Sequence, residues 1–121
     1  MNFSIRIRQT GKVSLVDVSG RLTSFEAEGF RHAIQQLLAQ GHLSIVLNLT
    51  ELEYLDSSGI GELARNYLAV VKKGGAMKVV GLAPKVEEIL KVTQLHQVFP
   101  EFPDEESAVE SFPETRPISP K

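Results

Sequence analysis

Cysteine is absent from the chain, which excludes disulfides and thiolate metal sites and fits a reducing compartment. Long apolar runs are also missing, and none approaches the roughly 18 residues that a membrane span requires. Neither sign of charge dominates. Thirteen Lys and Arg against fifteen Asp and Glu leave a formal net charge of −2. That balance gives no general attraction to nucleic acid or to an anionic membrane. No charged segment leading into an apolar one opens the chain, because residues 1–8 already alternate like a strand, so a cytoplasmic protein is expected. There is no internal repeat. Glycine does not occur after Gly81, whereas five of the six prolines stand at or after Pro100.

What remains is an ordinary globular composition, 42% hydrophobic and 23% charged, in 121 residues, enough for one domain with a core of its own. The glycine and proline distribution predicts that the main body ends near Phe99 and that a Pro- and Glu-rich stretch follows. Within it, residues 104–112 are spaced for one short helix with Ala108, Val109 and Phe112 on one face. The domain is therefore drawn over 1–112, and 113–121 is expected to be a disordered Pro-rich tail.

Phe3, Ile5 and Ile7 alternate with Ser4, Arg6 and Arg8, which predicts a half-buried strand. Gly11 lies in the turn to a second strand, 13–18, whose apolar residues fall on both faces. Thr23-Ser24-Phe25-Glu26 has the form of a capping box. Ala27, Phe30, Ile34, Leu37 and Leu38 follow at helical spacing, and Gly41 supplies the stop. The run 43–49 reads as a strand covered on both sides. A second helical stripe uses Ile60, Leu63, Ala64, Tyr67, Leu68 and Val71, ending at Gly74-Gly75. Another buried strand covers 77–82. Pro84 opens a third helix with Val86, Ile89, Leu90 and Thr93 inward, and Val98-Phe99 is expected to form a last short strand. Strands alternating with helices predict an α/β domain with a mainly parallel sheet of about four to five strands, the first antiparallel.

The chemistry-bearing stretch is Leu55-Asp56-Ser57-Ser58-Gly59-Ile60-Gly61, where a strand hands over to the second helix. Ligand-facing edges of parallel sheets lie at such handovers. Ser57 or Ser58 falls at or next to the N-cap, beside amides without helical partners. Gly59 and Gly61 leave those amides unshielded, and each costs about 1 kcal/mol against alanine inside a helix. As a bare tetrapeptide, Asp-Ser-Ser-Gly is a good cap and turn. A hydroxyl in this place also suits a phosphate, which adds about −1.5 to −2 charge that a helix N-terminus tolerates.

Other patterns carry less. Gly59-x-Gly61-x-x-Ala64 has the form of a dinucleotide fingerprint, but about ten residues separate it from the preceding strand and no acidic residue stands near position 80. Leu55-x-Ser57-x-Gly59 lacks the first glycine of a nucleophile elbow. His32, His42 and His96 are scattered, in keeping with surface histidines and against a triad or a zinc site. Glu51, Glu53, Asp56 and Glu62 read as an acidic helix start complementing the dipole, and Lys72-Lys73 as its mirror at the C-terminus. No metal or cofactor is expected, and no enzymatic activity.

Val46-Leu47-Asn48-Leu49 followed by Leu55-Asp56-Ser57-Ser58-Gly59-Ile60-Gly61 resembles the signature of STAS domains of the anti-sigma-factor-antagonist family. Val18-Ser19-Gly20-Arg21-Leu22, Lys73-Gly74-Gly75, Thr93-Gln94-Leu95 and Val98-Phe99 agree with it, so the resemblance covers residues 3–99. The resemblance implies that Ser57 is the phosphate acceptor, with Ser58 the second choice, and that Asp56, Ser58, Gly59, Ile60 and Gly61 surround it at the partner surface. It further implies an anti-sigma factor serine kinase as partner and a PP2C-type phosphatase as the resetting enzyme. Unphosphorylated protein would bind the anti-sigma factor and release a sigma factor; phosphorylated protein would let go. Where many members carry an acidic residue after the Gly-x-Leu turn, this chain has Thr23. A STAS subunit that scaffolds a transporter or sensory complex without being phosphorylated is the alternative, and a small-ligand sensor or enzyme using the amides near Gly59 is a third.

Overall fold

The computed structural model describes residues 3–94, 97 and 99–113. The elements run β1 (Ser4–Thr10), β2 (Val13–Leu22), α1 (Ser24–Ala39), β3 (Ser44–Asn48), β4 (Leu52–Leu55), α2 (Ser57–Lys72), β5 (Ala76–Val80), α3 (Pro84–Val92), β6 (Glu101–Phe102) and α4 (Glu105–Glu110). The sheet order is β1-β2-β3-β5-β6, with β4 also pairing β2. Among the described residues only the β1–β2 hairpin is antiparallel; the β2–β3, β2–β4, β3–β5 and β5–β6 pairs are parallel. The expected α/β class and antiparallel first strand are therefore what the chain adopts.

Two-residue periodicity splits each central strand between two cores. Val16, Val18, Ile45, Leu47, Met77 and Val79 face one side, where α1, α2 and α3 contribute Phe30, Ile34, Leu37, Leu63, Val70, Val86 and Leu90. Val13, Leu15, Val46 and Val80 face the other side, where α4 brings Ala108 and Phe112. Polar residues complete that second face. Arg8 forms a bidentate pair with Asp17 and also bonds Glu105, whose carboxylate accepts from Asn48 as well. Arginine between two carboxylates ties the β1 edge to the start of α4.

The local signals account for most helix ends. Thr23 is the N-cap of α1, and both halves of its capping box with Glu26 are present. Pro84 occupies the first turn of α3, and Gly41 and Gly74 follow α1 and α2 with positive φ.

Several expectations need correction. The second strand does not stop at 18 but continues to Leu22, because β4 supplies a further partner beyond the end of β3. β4 is a strand that the hydrophobic spacing does not predict: Leu52 and Leu55 are its buried residues, so it shows no alternation. The last strand is Glu101–Phe102; Val98 lies outside the described residues, and Phe99 is a buried core residue whose ring meets Tyr67 edge-on at 5.5 Å. Thr93 is exposed, and its hydroxyl bonds the Ile89 and Leu90 carbonyls at the end of α3. Ile7 is 42% exposed, since it lies on the open edge strand. The folded body also does not end near Phe99. α4 begins at the Asp104 cap and seals the second face; of the tail, residues 114–121 lie outside the described residues.

Phe112 is 1% exposed and is the largest side chain that α4 and its end bring to the second core. Phe112→Ala should therefore destabilise the protein by about 3 kcal/mol, read as a lower urea midpoint. A change below about 0.5 kcal/mol, the usual size for a surface position, would mean that the body closes without this segment.

Candidate functional site

β4 hands over to α2 at Asp56, whose backbone is extended and whose side chain caps the helix. One carboxylate oxygen accepts from the Gly59 amide at 2.9 Å, and the other from the Ser24 amide of α1 at 3.3 Å. The Asp56 N–H donates to the Leu22 carbonyl at the end of β2. One residue thus fixes the entrances of both helices, and its carboxylate is committed to main-chain donors. Ser57 and Ser58 are the first two residues of α2, and both are exposed. Their amides carry no hydrogen bond among the described residues.

The two glycines differ in role. Gly59 is buried, and a Cβ placed there would lie 2.1 Å from the Leu22 carbonyl oxygen. It lets α2 press against the end of β2, and its amide is occupied by Asp56, so the expectation that it leaves a bare N–H is corrected. Gly61 has open space, with Arg65 Nη2 3.8 Å from its would-be Cβ. Ile60 is half-buried and packs against the helix-side core.

Around Ser57 the surface is mixed. On one side Phe25, at the start of α1, is 92% exposed, beside Arg21 stacked 4.3 Å over the Tyr54 ring. Here Arg21, Thr23, Phe25, Tyr54 and Asp56 line an open depression of about 390 Å³. On the other side an open groove of about 280 Å³ runs between α1 and α2, lined by Ser24, Arg31, Ser57, Ser58, Gly61 and Arg65, with Ala27 and Glu62 beneath.

Glu62 is the residue that the acidic-loop reading misplaced. It is 1% exposed and accepts from Arg31 Nε at 2.9 Å and Nη2 at 3.1 Å, from Arg65 at 3.0 Å, and from Asn66 at 2.8 Å. Those hydrogen bonds, led by Arg31, hold its carboxyl below the ordinary value against the opposing effect of burial. Glu62 and Asn66 therefore sit on the buried face of α2 with Gly59, Leu63 and Val70. The inward stripe is rotated from the one read from hydrophobic spacing, and Leu68 and Val71 are 55% and 45% exposed. The signal that could have located Glu62 is its i, i+4 alignment with Asn66 and Val70.

Asp56, Ser57, Ser58, Gly59, Ile60 and Gly61 are thus consecutive at one helix start, with Thr23 and Phe25 beside them. The histidines are elsewhere: His32 is exposed on α1 and bonded to Gln36, His42 is half-buried after α1, and His96 lies outside the described residues. Among the described residues no group of three or more His, Cys, Asp or Glu could hold a metal ion. Glu51 and Glu53 are exposed. No helix of the described residues is long and apolar enough to cross a membrane.

Two tests follow from this geometry. Gly59→Ala should cost about 3 kcal/mol, because a methyl group meets fixed backbone, whereas Gly61→Ala should gain up to about 1 kcal/mol from helix propensity; equal melting temperatures for the two variants would contradict the close approach. Glu62→Gln should lose about 2 kcal/mol at pH 7 through its charged hydrogen bonds. A carboxyl whose folded value is depressed stabilises fully above its unfolded value near 4.5, and that contribution vanishes as pH falls through the folded value. The gap between wild type and Glu62→Gln should accordingly narrow progressively as pH falls below 4.5, and a gap independent of pH would exclude the ion pair.

The family profile of the STAS domain matches residues 4–108. An anti-sigma F factor antagonist of Paenibacillus polymyxa is 29% identical over 110 residues, covering 90% of this chain and 94% of the relative. The crystal structure of an anti-sigma factor antagonist from Mycobacterium paratuberculosis superposes with a TM-score of 0.81 at 26% identity, covering 91% of this chain and 93% of that one. The Bacillus cell fate determinant SpoIIAA in its phosphorylated form has the same fold, with a TM-score of 0.68 at 20% identity, 88% of this chain and 97% of that one being covered. With a match spanning both helix starts, the parallel strands and the first turn of α4, this chain belongs to the STAS-domain family.

Proposed function

We propose that this protein is an anti-sigma factor antagonist whose partner binding is switched by phosphorylation of Ser57. The observation that carries the reading is the placement of that hydroxyl. It is exposed at the first position of α2, and the Asp56 cap and the Gly59 contact hold the helix start rigid beneath it. Full-length relatives that are anti-sigma factor antagonists support the general role. One structurally similar protein is described in a phosphorylated form, which supports the switch.

The unphosphorylated surface is suited to docking. Phe25 offers an uncovered aromatic ring on the depression that Asp56, Arg21 and Tyr54 also line. Exposed aromatic and arginine side chains commonly act as anchors in protein interfaces. In the proposed cycle the anti-sigma factor is the kinase. Ser57 Oγ attacks the γ-phosphorus of its ATP, an O–P bond forms, the bridging bond to ADP breaks, and the hydroxyl proton passes to a base of the kinase. A PP2C-type phosphatase hydrolyses the ester and restores the hydroxyl.

The switch acts on binding and leaves the fold alone. A phosphate of about −2 charge at an exposed helix N-terminus is tolerated by the protein that carries it. Facing a partner's acidic or apolar surface, it raises the cost of docking, and each 1.4 kcal/mol is tenfold in affinity.

The test uses an anti-sigma kinase with ATP, intact-mass and peptide mapping, and binding measured for two variants. One phosphate should appear on Ser57, Ser57→Ala should bind like wild type, and Ser57→Asp should bind at least tenfold more weakly. Phosphate found only at other positions, or equal binding of both variants, removes the reading. Pull-down of transporter or sensory subunits without a kinase-fold partner would replace it with the unphosphorylated scaffold.

A further inference from the structure

We infer that Arg65, together with Arg31, is a built-in receptor for the phosphate on Ser57, reaching it along a groove that Gly61 keeps open. The inference rests on the phosphorylation of Ser57 proposed above and specifies what the modified side chain meets on its own protein.

Charge comes first. Arg31 and Arg65 share a single buried carboxylate, Glu62, and the exposed Glu28 on α1 also acts on Arg31, which leaves Arg65 the less balanced of the two cations. Arg31 uses Nε and Nη2 on Glu62, and Arg65 uses Nη1 alone. Arg65 Nε and Nη2 and Arg31 Nη1 have no hydrogen bond among the described residues. The arginine side chains are 40% and 65% exposed, while that of Glu62 is 2% exposed. The guanidinium groups therefore lie on the groove side, and the carboxylate they share lies beneath them. Of the other carboxylates at this edge, Asp56 turns both oxygens to the Gly59 and Ser24 amides, and Glu26 accepts from the Thr23 amide and hydroxyl.

Geometry comes second. Arg65 stands two turns along α2 from Ser57, with Gly61 midway. Helical side chains lean toward the N-terminus, and Arg65 Nη2 lies 3.8 Å from where a Cβ of Gly61 would be. From Gly61 to Ser57 the helix rises about 6 Å, a span that a phosphorylated serine side chain and one hydrogen bond cover. Ser57, Ser58, Gly61, Arg31 and Arg65 line the same groove.

Gly61 is the third observation. Its backbone is not in the positive-φ region and no main-chain group crowds it, so the fold has no evident need of glycine there. A helix glycine costs about 1 kcal/mol against alanine. An unobstructed path from Arg65 to Ser57 gives that cost a purpose. Guanidinium is also the cation best shaped for phosphate, binding two oxygens through parallel N–H groups.

The receptor is tested on full-length protein with phosphoserine installed at position 57 during translation, so that no kinase is needed. The readout is the ³¹P titration midpoint, ordinarily about 6 for the second phosphate ionisation. The helix start acts equally in every variant, so differences isolate the arginines. At low salt the wild-type midpoint should lie about half a unit below that of Arg65→Gln, Arg65→Lys should recover part of the shift, and about 1 M salt should shrink it. Gly61→Leu, which obstructs the groove and leaves both arginines in place, should behave like Arg65→Gln. Equal midpoints in wild type and both of those variants would overturn the receptor whether or not a kinase uses Ser57. Failure of a kinase to modify Ser57 would overturn the switch and leave this measurement intact.

Discussion

The contact on which this structure turns is that of Gly59 against the Leu22 carbonyl. Where other residues would hold a helix away from a strand end, the missing side chain lets the first turn of α2 sit on the backbone of β2. Asp56 can then bond the Leu22 carbonyl, cap its own helix and still reach the Ser24 amide of α1. Two helix starts are thereby locked side by side with an exposed serine pair at the junction. The same closeness sets the interval across which Arg31 on α1 meets Glu62 on α2.

Burying Glu62 is expensive in isolation, because a carboxylate withdrawn from water loses several kcal/mol of hydration. Here the loss is offset by four hydrogen bonds to the carboxylate from three residues. The arginines remain partly in water, so only one charged member of the cluster is fully desolvated. A hydrophobic residue at 62 could pack as well, but it would leave Arg31 without a reason to cross between helices. The ion pair is best understood as fixing where α1 and α2 stand relative to each other, with modest net stabilisation.

Sequence patterns disclosed what depends on neighbours along the chain. The Thr23–Glu26 box, Pro84 at the start of α3, the Asp104-led helix and the nearly continuous apolar runs of the central strands are each decided within a few residues, and each matches the structure. Features decided by distant partners were not legible. β4 is a strand only because β2 runs past the end of β3, and nothing within Leu52–Leu55 alternates. Glu62 and Asn66 are polar by type but buried by position, because Arg31 lies 31 residues away in the chain. For the site, the order Asp56-Ser57-Ser58-Gly59 located the helix start, but the reason for Gly59 was misjudged: a carbonyl from β2, absent from any local window, fills the space beside it.

The two faces of the sheet explain why an added charge at Ser57 would be read by a partner and not by the fold. Ser57 stands on the helix side, at a junction whose main-chain bonds are made by Asp56 and Gly59 and do not involve the serine hydroxyl. The second core, closed by Phe112 and the Arg8–Glu105 pair, lies behind the sheet, with the apolar strands between. A phosphate at the junction therefore has water, Phe25 and the arginine groove as its surroundings, none of which the sheet needs in order to pack. Stability and recognition are thus carried by different atoms of the same few residues, the main chain of 56–59 for one and the side chains of 25, 57 and 65 for the other. That separation is the physical condition for a switch that can be set and reset without unfolding.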